Sequence, residues 1–233
     1  MPQFSPPHLA ALAVMVAGVA FAVWAPRRHP GDWTRLLAGG LAFVIFAAWA
    51  GEYVADVILG TWSVQFTLPL QLTDAVSLCS IAALLTRRPR LIELSYFWAF
   101  TATLQAVLTP DLAQDFPSVF YFTYFGYHVG AIVAASFLVF GLERYPAPGA
   151  PWRVFAATLA WAAIAGAADL ITGGNYMYLA WKPSHGSLLS VLGPWPWYIA
   201  GAAAVGLAML WIVAGVTALL RHGRPAVVGA RPS

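Results

Sequence analysis

The sequence predicts an all-α fold: a polytopic membrane protein built as a seven-helix transmembrane bundle, N-terminus out and C-terminus in. Three observations carry this expectation. Of 233 residues, 61% are hydrophobic and only 9% charged, where a soluble domain of this size would carry about a quarter charged residues. The apolar residues fall into runs near the ~20 residues that a helix needs to cross the hydrocarbon core. The basic residues sort to one side of those runs.

The runs cover approximately 9–25, 36–60, 66–86, 91–108, 119–142, 152–172 and 197–220. Arg27 and Arg28 follow the first run instead of preceding it, so it reads as a retained helix and not as a cleavable signal. Of the 12 Lys and Arg, all but Lys182 lie in connectors one, three and five or in the tail. The positive-inside rule then turns connectors two, four and six outward, and an even number of spans would spoil the division. Short Pro- and Gly-punctuated connectors such as TRRPR and ERYPAPGAPW favour antiparallel neighbours in one transmembrane domain over residues 1–233. Connector six is the long exception: residues 184–192 read as a short amphipathic helix on the outer surface, and residues 221–233 as a disordered basic tail.

Composition excludes several classes. The net charge of +3 is scattered, with no basic stripe or nucleic-acid motif. The single cysteine, Cys79, forms no intrachain disulfide and reads as a packed thiol. Five widely spaced histidines and the absence of CxxC or HExxH leave no metal signature, and no cofactor is expected. The partners implied are membrane lipids.

The informative stretch is TLPLQLTDAVSLC, which sets Gln71, Thr73 and Asp74 early in an apolar run. An ionisable residue at membrane depth needs a partner and marks a candidate site. At ~1.5 Å per helical residue, the predicted topology places these residues about two turns below the outer boundary, level with His128 nine residues into the fifth run. Glu52 and Asp56, one turn apart near the end of the second run, share that outer half with Gln105, Asp169 and Asn175. Lys182 stands outside, near headgroups. Glu93, on the inner side, has Arg87, Arg90 and Arg153 as possible partners.

Thr73, His128 and an acid such as Asp74 or Asp169 make a nucleophile, base and orienting group for acyl transfer or lipid-ester hydrolysis. The same polar set also suits the pathway of a carrier, or interhelical hydrogen bonds in a scaffold, at ~0.6 kcal/mol each. The segments LPLQLTD, ELSYFWAFTATLQAVLTPDL, YHVG, NYMYLAWKP and SLLSVLGPWPWY closely resemble the YwaF family of bacterial integral membrane proteins, over nearly the whole chain from the second span onward. The resemblance implies a multi-helix membrane fold in the bacterial plasma membrane. More distantly the chain is similar to eukaryotic cysteine-centred phospholipid acyltransferases. Their cysteine position corresponds to Thr73 and their histidine to His128, so a hydroxyl stands where that pattern has a thiol.

Overall fold

The computed structural model describes residues 1–183 and 188–222. Its helices are α1 (Pro6–Arg28), α2 (Trp33–Leu59), α3 (Leu72–Thr86), α4 (Pro89–Leu108), α5 (Val119–Gly141), α6 (Ala150–Thr172) and α7 (Trp197–His222). Local sequence accounts for their ends. Proline occupies the first turn of α1, α4 and α6, where its missing N–H is not needed. Gly60 and Gly173 close α2 and α6 with φ of 69°, a left-handed conformation that costs glycine nothing. The Ser118 hydroxyl accepts from the Phe120 N–H to cap α5.

Six of the seven helices are long and apolar enough to cross a bilayer, and the chain is a multi-pass membrane protein. The third departs from expectation. It begins at Leu72, not near Phe66, and its 15 residues span about 22 Å, short of the ~30 Å core. Residues 60–71 run as irregular backbone instead. Pro69 disfavours helix in the residue before it, and the donors so released are taken up elsewhere: the Thr67 hydroxyl accepts from Ser63 N–H, and the Tyr176 hydroxyl from Leu68 N–H. Backbone of this kind persists at membrane depth only where protein satisfies it.

Helix α5 is the pillar of the bundle. Within its membrane-crossing stretch 83% of residues are buried, against 11% in α7. Small residues let the neighbours approach closely. A Cβ added at Gly126 would lie 2.7 Å from the Ala48 Cβ of α2, and one at Gly130 2.8 Å from Ile45 Cγ1. These two glycines form a G-x-x-x-G face on α5, the arrangement that brings backbones together where no water drives association. Helix α1 packs alongside through Gly18, which faces Val133. On α2, α6 and α7, Leu36, Phe43, Ile58, Leu170, Ile171 and Leu219 stand exposed, as lipid-facing surfaces require.

Polar pins join the helices away from the candidate site. Ser80 and Ser95 share a 2.7 Å bond between α3 and α4, Tyr96 and Thr217 one of 2.6 Å between α4 and α7, and the Trp98 indole donates to Thr158 of α6 at 2.7 Å. The Glu93 carboxylate, 3% exposed, accepts from Arg153 Nη2 at 2.8 Å, Arg153 Nε at 3.1 Å, Arg90 Nη1 at 3.0 Å and the Ala147 N–H. Of its three expected partners, Arg87 is not used. Residues 188–191 form one 3-10 turn; the rest of the expected surface helix through residue 187 lies outside the described residues. Helix α7 continues through His222, and 223–233 of the expected basic tail also lie outside them.

Gly126→Ala should destabilise the protein by ~1–3 kcal/mol through overpacking against Ala48. Gly40→Ala, with nothing within 4 Å of its added Cβ, should be neutral or slightly stabilising. Unfolding in detergent, followed by near-ultraviolet circular dichroism, compares the two.

Candidate functional site

The seven helices bring the starts of α1, α3, α5 and α7 and the ends of α2, α4 and α6 to one end of the bundle. The polar residues expected there gather around the start of α3. Asp74 is the third residue of that helix, and its Oδ2 accepts from the Gln71 backbone N–H at 2.9 Å. A carboxylate at this position satisfies one of the donors that a helix start leaves open and complements the helix dipole. Its Oδ1 accepts from two α2 side chains, Trp49 Nε1 at 2.9 Å and Tyr53 Oη at 2.7 Å. Asp74 is therefore buried, 5% exposed, with both oxygens occupied. It holds α2 to α3 through these bonds.

His128 sits one turn into the face of α5 that follows Tyr124, 2% exposed. Its Nδ1 lies 2.7 Å from the Tyr124 carbonyl. A carbonyl can only accept, so Nδ1 carries the proton and Nε2 presents its lone pair; the Tyr124 carbonyl, not an aspartate, fixes the tautomer. The ring lies between Tyr124 and Tyr127, with centroids 4.2 and 4.3 Å away. Nε2 makes no hydrogen bond with the described residues. Nor does the hydroxyl of half-buried Thr73, whose backbone carbonyl accepts from Ser77. Thr73 and His128 are thus not hydrogen-bonded to each other. Their sequence neighbours, Asp74 and Tyr127, are close enough to interact electrostatically, as are Tyr127 and Glu52.

Two acids keep a buried oxygen without a donor among the described residues: Glu52 Oε2 and Asp169 Oδ2. Glu52 lies beside Thr123 and Tyr127 of α5. The other Asp169 oxygen accepts from Tyr176 N–H at 2.6 Å, closing the turn after α6. Asp169 makes no hydrogen bond to His128 or Thr73.

The remaining expected residues serve local structure. Asp56 accepts from the Thr61 hydroxyl at 2.6 Å, just past the end of α2. Gln105 is exposed, and its backbone carbonyl caps α4 through Thr109. Asn175 spends Oδ1 on the N–H groups of Ala180 and Trp181 and Nδ2 on the Trp181 carbonyl. Lys182 stands 5.3 Å over the Tyr198 ring and reaches the Ser190 carbonyl, an anchoring role. Gln71 joins two loops, its Oε1 accepting from Met177 N–H at 2.8 Å. Cys79 is a free, partly buried thiol against the core.

These loops form a cap of irregular backbone over the cluster. The Tyr176 hydroxyl donates to the Val64 carbonyl, and Trp161 Nε1 to that of Leu70. A Cβ at Gly174 would meet the Gln65 carbonyl oxygen, so that position admits only glycine at this closeness. Tyr178 donates to Asp111 at 2.8 Å, and burial together with that carboxylate pushes its phenol up, keeping it a neutral donor.

Several participants were not singled out from sequence. Trp49 and Tyr53, one turn apart on α2, are two of them; their i, i+4 spacing beside Glu52 was the available signal. Thr103, 1% exposed in the π-helical stretch Ala99–Thr103 of α4, carries a hydroxyl with no partner. His8 bridges Phe4 N–H and the Val107 carbonyl at 2.8 Å each, pinning the start of α1 to the end of α4.

A sequence model described as the TMEM164 family matches residues 3–214. Neither a curated protein nor a solved structure matches the chain.

Asp74→Ala would strand the Trp49 and Tyr53 donors and the Gln71 N–H. At ~1–3 kcal/mol per unsatisfied buried group, a loss of at least ~3 kcal/mol is expected, with faster amide exchange over residues 71–75 by hydrogen–deuterium exchange. Asp56→Ala, at a half-exposed turn, should leave both unchanged.

Proposed function

The chain belongs to the TMEM164 family, and we propose that it is a membrane-embedded lipid acyltransferase or lipid-ester hydrolase, with Thr73 as nucleophile and His128 as base. The observation that supports this most directly is the state of His128. It is buried, its tautomer is set by the Tyr124 carbonyl, and its Nε2 lone pair is unshared. A structural histidine normally uses both nitrogens, as His8 does. A neutral imidazole with one open nitrogen is a competent general base.

The chemistry follows from those two groups. Thr73 Oγ attacks the carbonyl carbon of an acyl ester while His128 Nε2 takes the hydroxyl proton. The tetrahedral species collapses, the C–O bond to the leaving alcohol breaks, and the imidazolium returns its proton to that oxygen. A second alcohol, or water, then attacks the acyl-threonine with His128 again taking the proton, and Thr73 is regenerated. Threonine is a weaker nucleophile than cysteine and depends on its base. The two groups are not hydrogen-bonded to each other, and substrate binding must bring them within reach; catalytic hydrogen bonds often tighten only in the Michaelis complex. The likeness to the YwaF family and, more remotely, to cysteine-centred acyltransferases supports the pairing, since Thr73 and His128 occupy the corresponding positions. On this reading the site opens to the outer leaflet of a bacterial plasma membrane, with the arginine-bearing end inside.

A second reading rests on Glu52. Its donorless carboxylate oxygen, buried at the level of Tyr127, is suited to taking up a proton or cation in an ion-coupled carrier.

In proteoliposomes of defined phospholipids, turnover followed by lipid mass spectrometry should fall by about 10²–10⁴-fold in His128→Ala, as removal of a general base implies. It should fall to background in Thr73→Ala and persist in Thr73→Cys. Unaltered lipid turnover in both alanine variants, with proton flux abolished by Glu52→Gln, would decide for the carrier.

A further inference from the structure

At the opposite end of the bundle, α2 and α3 leave a groove of about 330 Å³ lined by Arg35, Ala38, Gly39, Leu84, Leu85, Thr86 and Arg87. Arg87 ends α3 in a left-handed conformation, φ 54°. This turns the chain sharply and leaves a half-buried guanidinium in which Nη2 is enclosed and has no acceptor. A buried guanidinium nitrogen without an acceptor is costly, and each such group calls for an explanation. Glu93, the nearest buried acid in sequence, is already taken by Arg90 and Arg153. The second cation, Arg35, is 76% exposed and only loosely paired, 3.7 Å from the carboxylate of Asp32. Arg88 next door is exposed too.

The walls of the groove explain what the acceptor is. Gly39 has nothing within 4 Å of an added Cβ, so the α2 side is open. Leu85, 64% exposed, continues the groove along the lipid-facing surface. Two guanidiniums at a helix end, leading into an apolar channel between two membrane helices, match a phosphodiester headgroup followed by its acyl chains. Arginine's planar fork suits phosphate oxygens better than a point charge would. Basic pockets between membrane helices are a recurrent way of holding anionic headgroups. We propose that this groove binds one anionic phospholipid, its phosphate on Arg87 and Arg35 and a chain along Gly39 and Leu85. The site is distinct from the Thr73 and His128 cluster and does not depend on any reaction there.

The test uses the full chain purified in neutral detergent. Unfolding temperature and native mass spectrometry are followed on adding phosphatidylglycerol, phosphatidylcholine with the same chains, or inorganic phosphate. Phosphatidylglycerol should raise the unfolding temperature and remain bound in the mass spectrum; phosphatidylcholine and phosphate should do neither. Arg87→Gln should weaken phosphatidylglycerol binding about tenfold, the size expected for one charge-assisted donor. Gly39→Leu, which fills the groove without touching a charge, should abolish it. Asp32→Asn, releasing Arg35, should strengthen it. Arg35→Gln alters only an exposed side chain, so it folds whatever Arg87→Gln does, and it too must weaken binding. Equal stabilisation of the wild type and the arginine variants overturns the proposal, as does inorganic phosphate reproducing the effect of the lipid.

Discussion

The Asp74 carboxylate is the interaction on which the candidate site depends. A helix that begins inside a bilayer exposes backbone donors where no water can meet them. Asp74 answers one of these donors from within α3 and spends its other oxygen on the Trp49 indole and the Tyr53 phenol of α2. One side chain thereby fixes where α3 starts and how it sits on α2. It also fixes the direction of the first turn that carries Thr73. The shortness of α3 follows: residues 60–71 have only to fold over the cluster, and their backbone groups are met by Tyr176, Thr67 and Trp161.

Helix α5 contributes both the close packing and the buried imidazole of His128. Gly126 and Gly130 admit α2 to near backbone contact, while the residues between and before them, Tyr124, Tyr127 and His128, face inward and form an aromatic clamp. Close packing excludes water from the imidazole, and the clamp leaves only Nε2 available. The chemistry of His128 is thus a consequence of the glycine face beside it. The acids nearby differ in their partners: both Asp74 oxygens accept hydrogen bonds, whereas Glu52 Oε2 and Asp169 Oδ2 have no donor among the described residues.

The two ends of the bundle divide the polar work. One end carries the acids, the histidine and a cap of loops. The other carries arginines, one set neutralised by Glu93 and the other, Arg35 and Arg87, left around a groove. Charge that in sequence reads only as a topology signal is, at Arg153 and Arg90, an ion-pair network on the buried Glu93 carboxylate that fastens α4 to α6.

By itself the sequence determined that the chain crosses the membrane repeatedly as helices, since span length and charge asymmetry are local quantities that hydrocarbon enforces. It also picked out the stretch around Gln71, Thr73 and Asp74 and the histidine at 128, because polar groups there demand partners. The tertiary structure decided who those partners are. Trp49 and Tyr53 become donors to Asp74 only when α2 is laid on α3. The group that orients the His128 ring is the Tyr124 carbonyl, and a backbone oxygen carries no signature in sequence. Only the fold could move the start of α3 from Phe66 to Leu72, because the groups that make an unwound segment tolerable in the membrane, Tyr176 and Trp161, lie some hundred residues away along the chain.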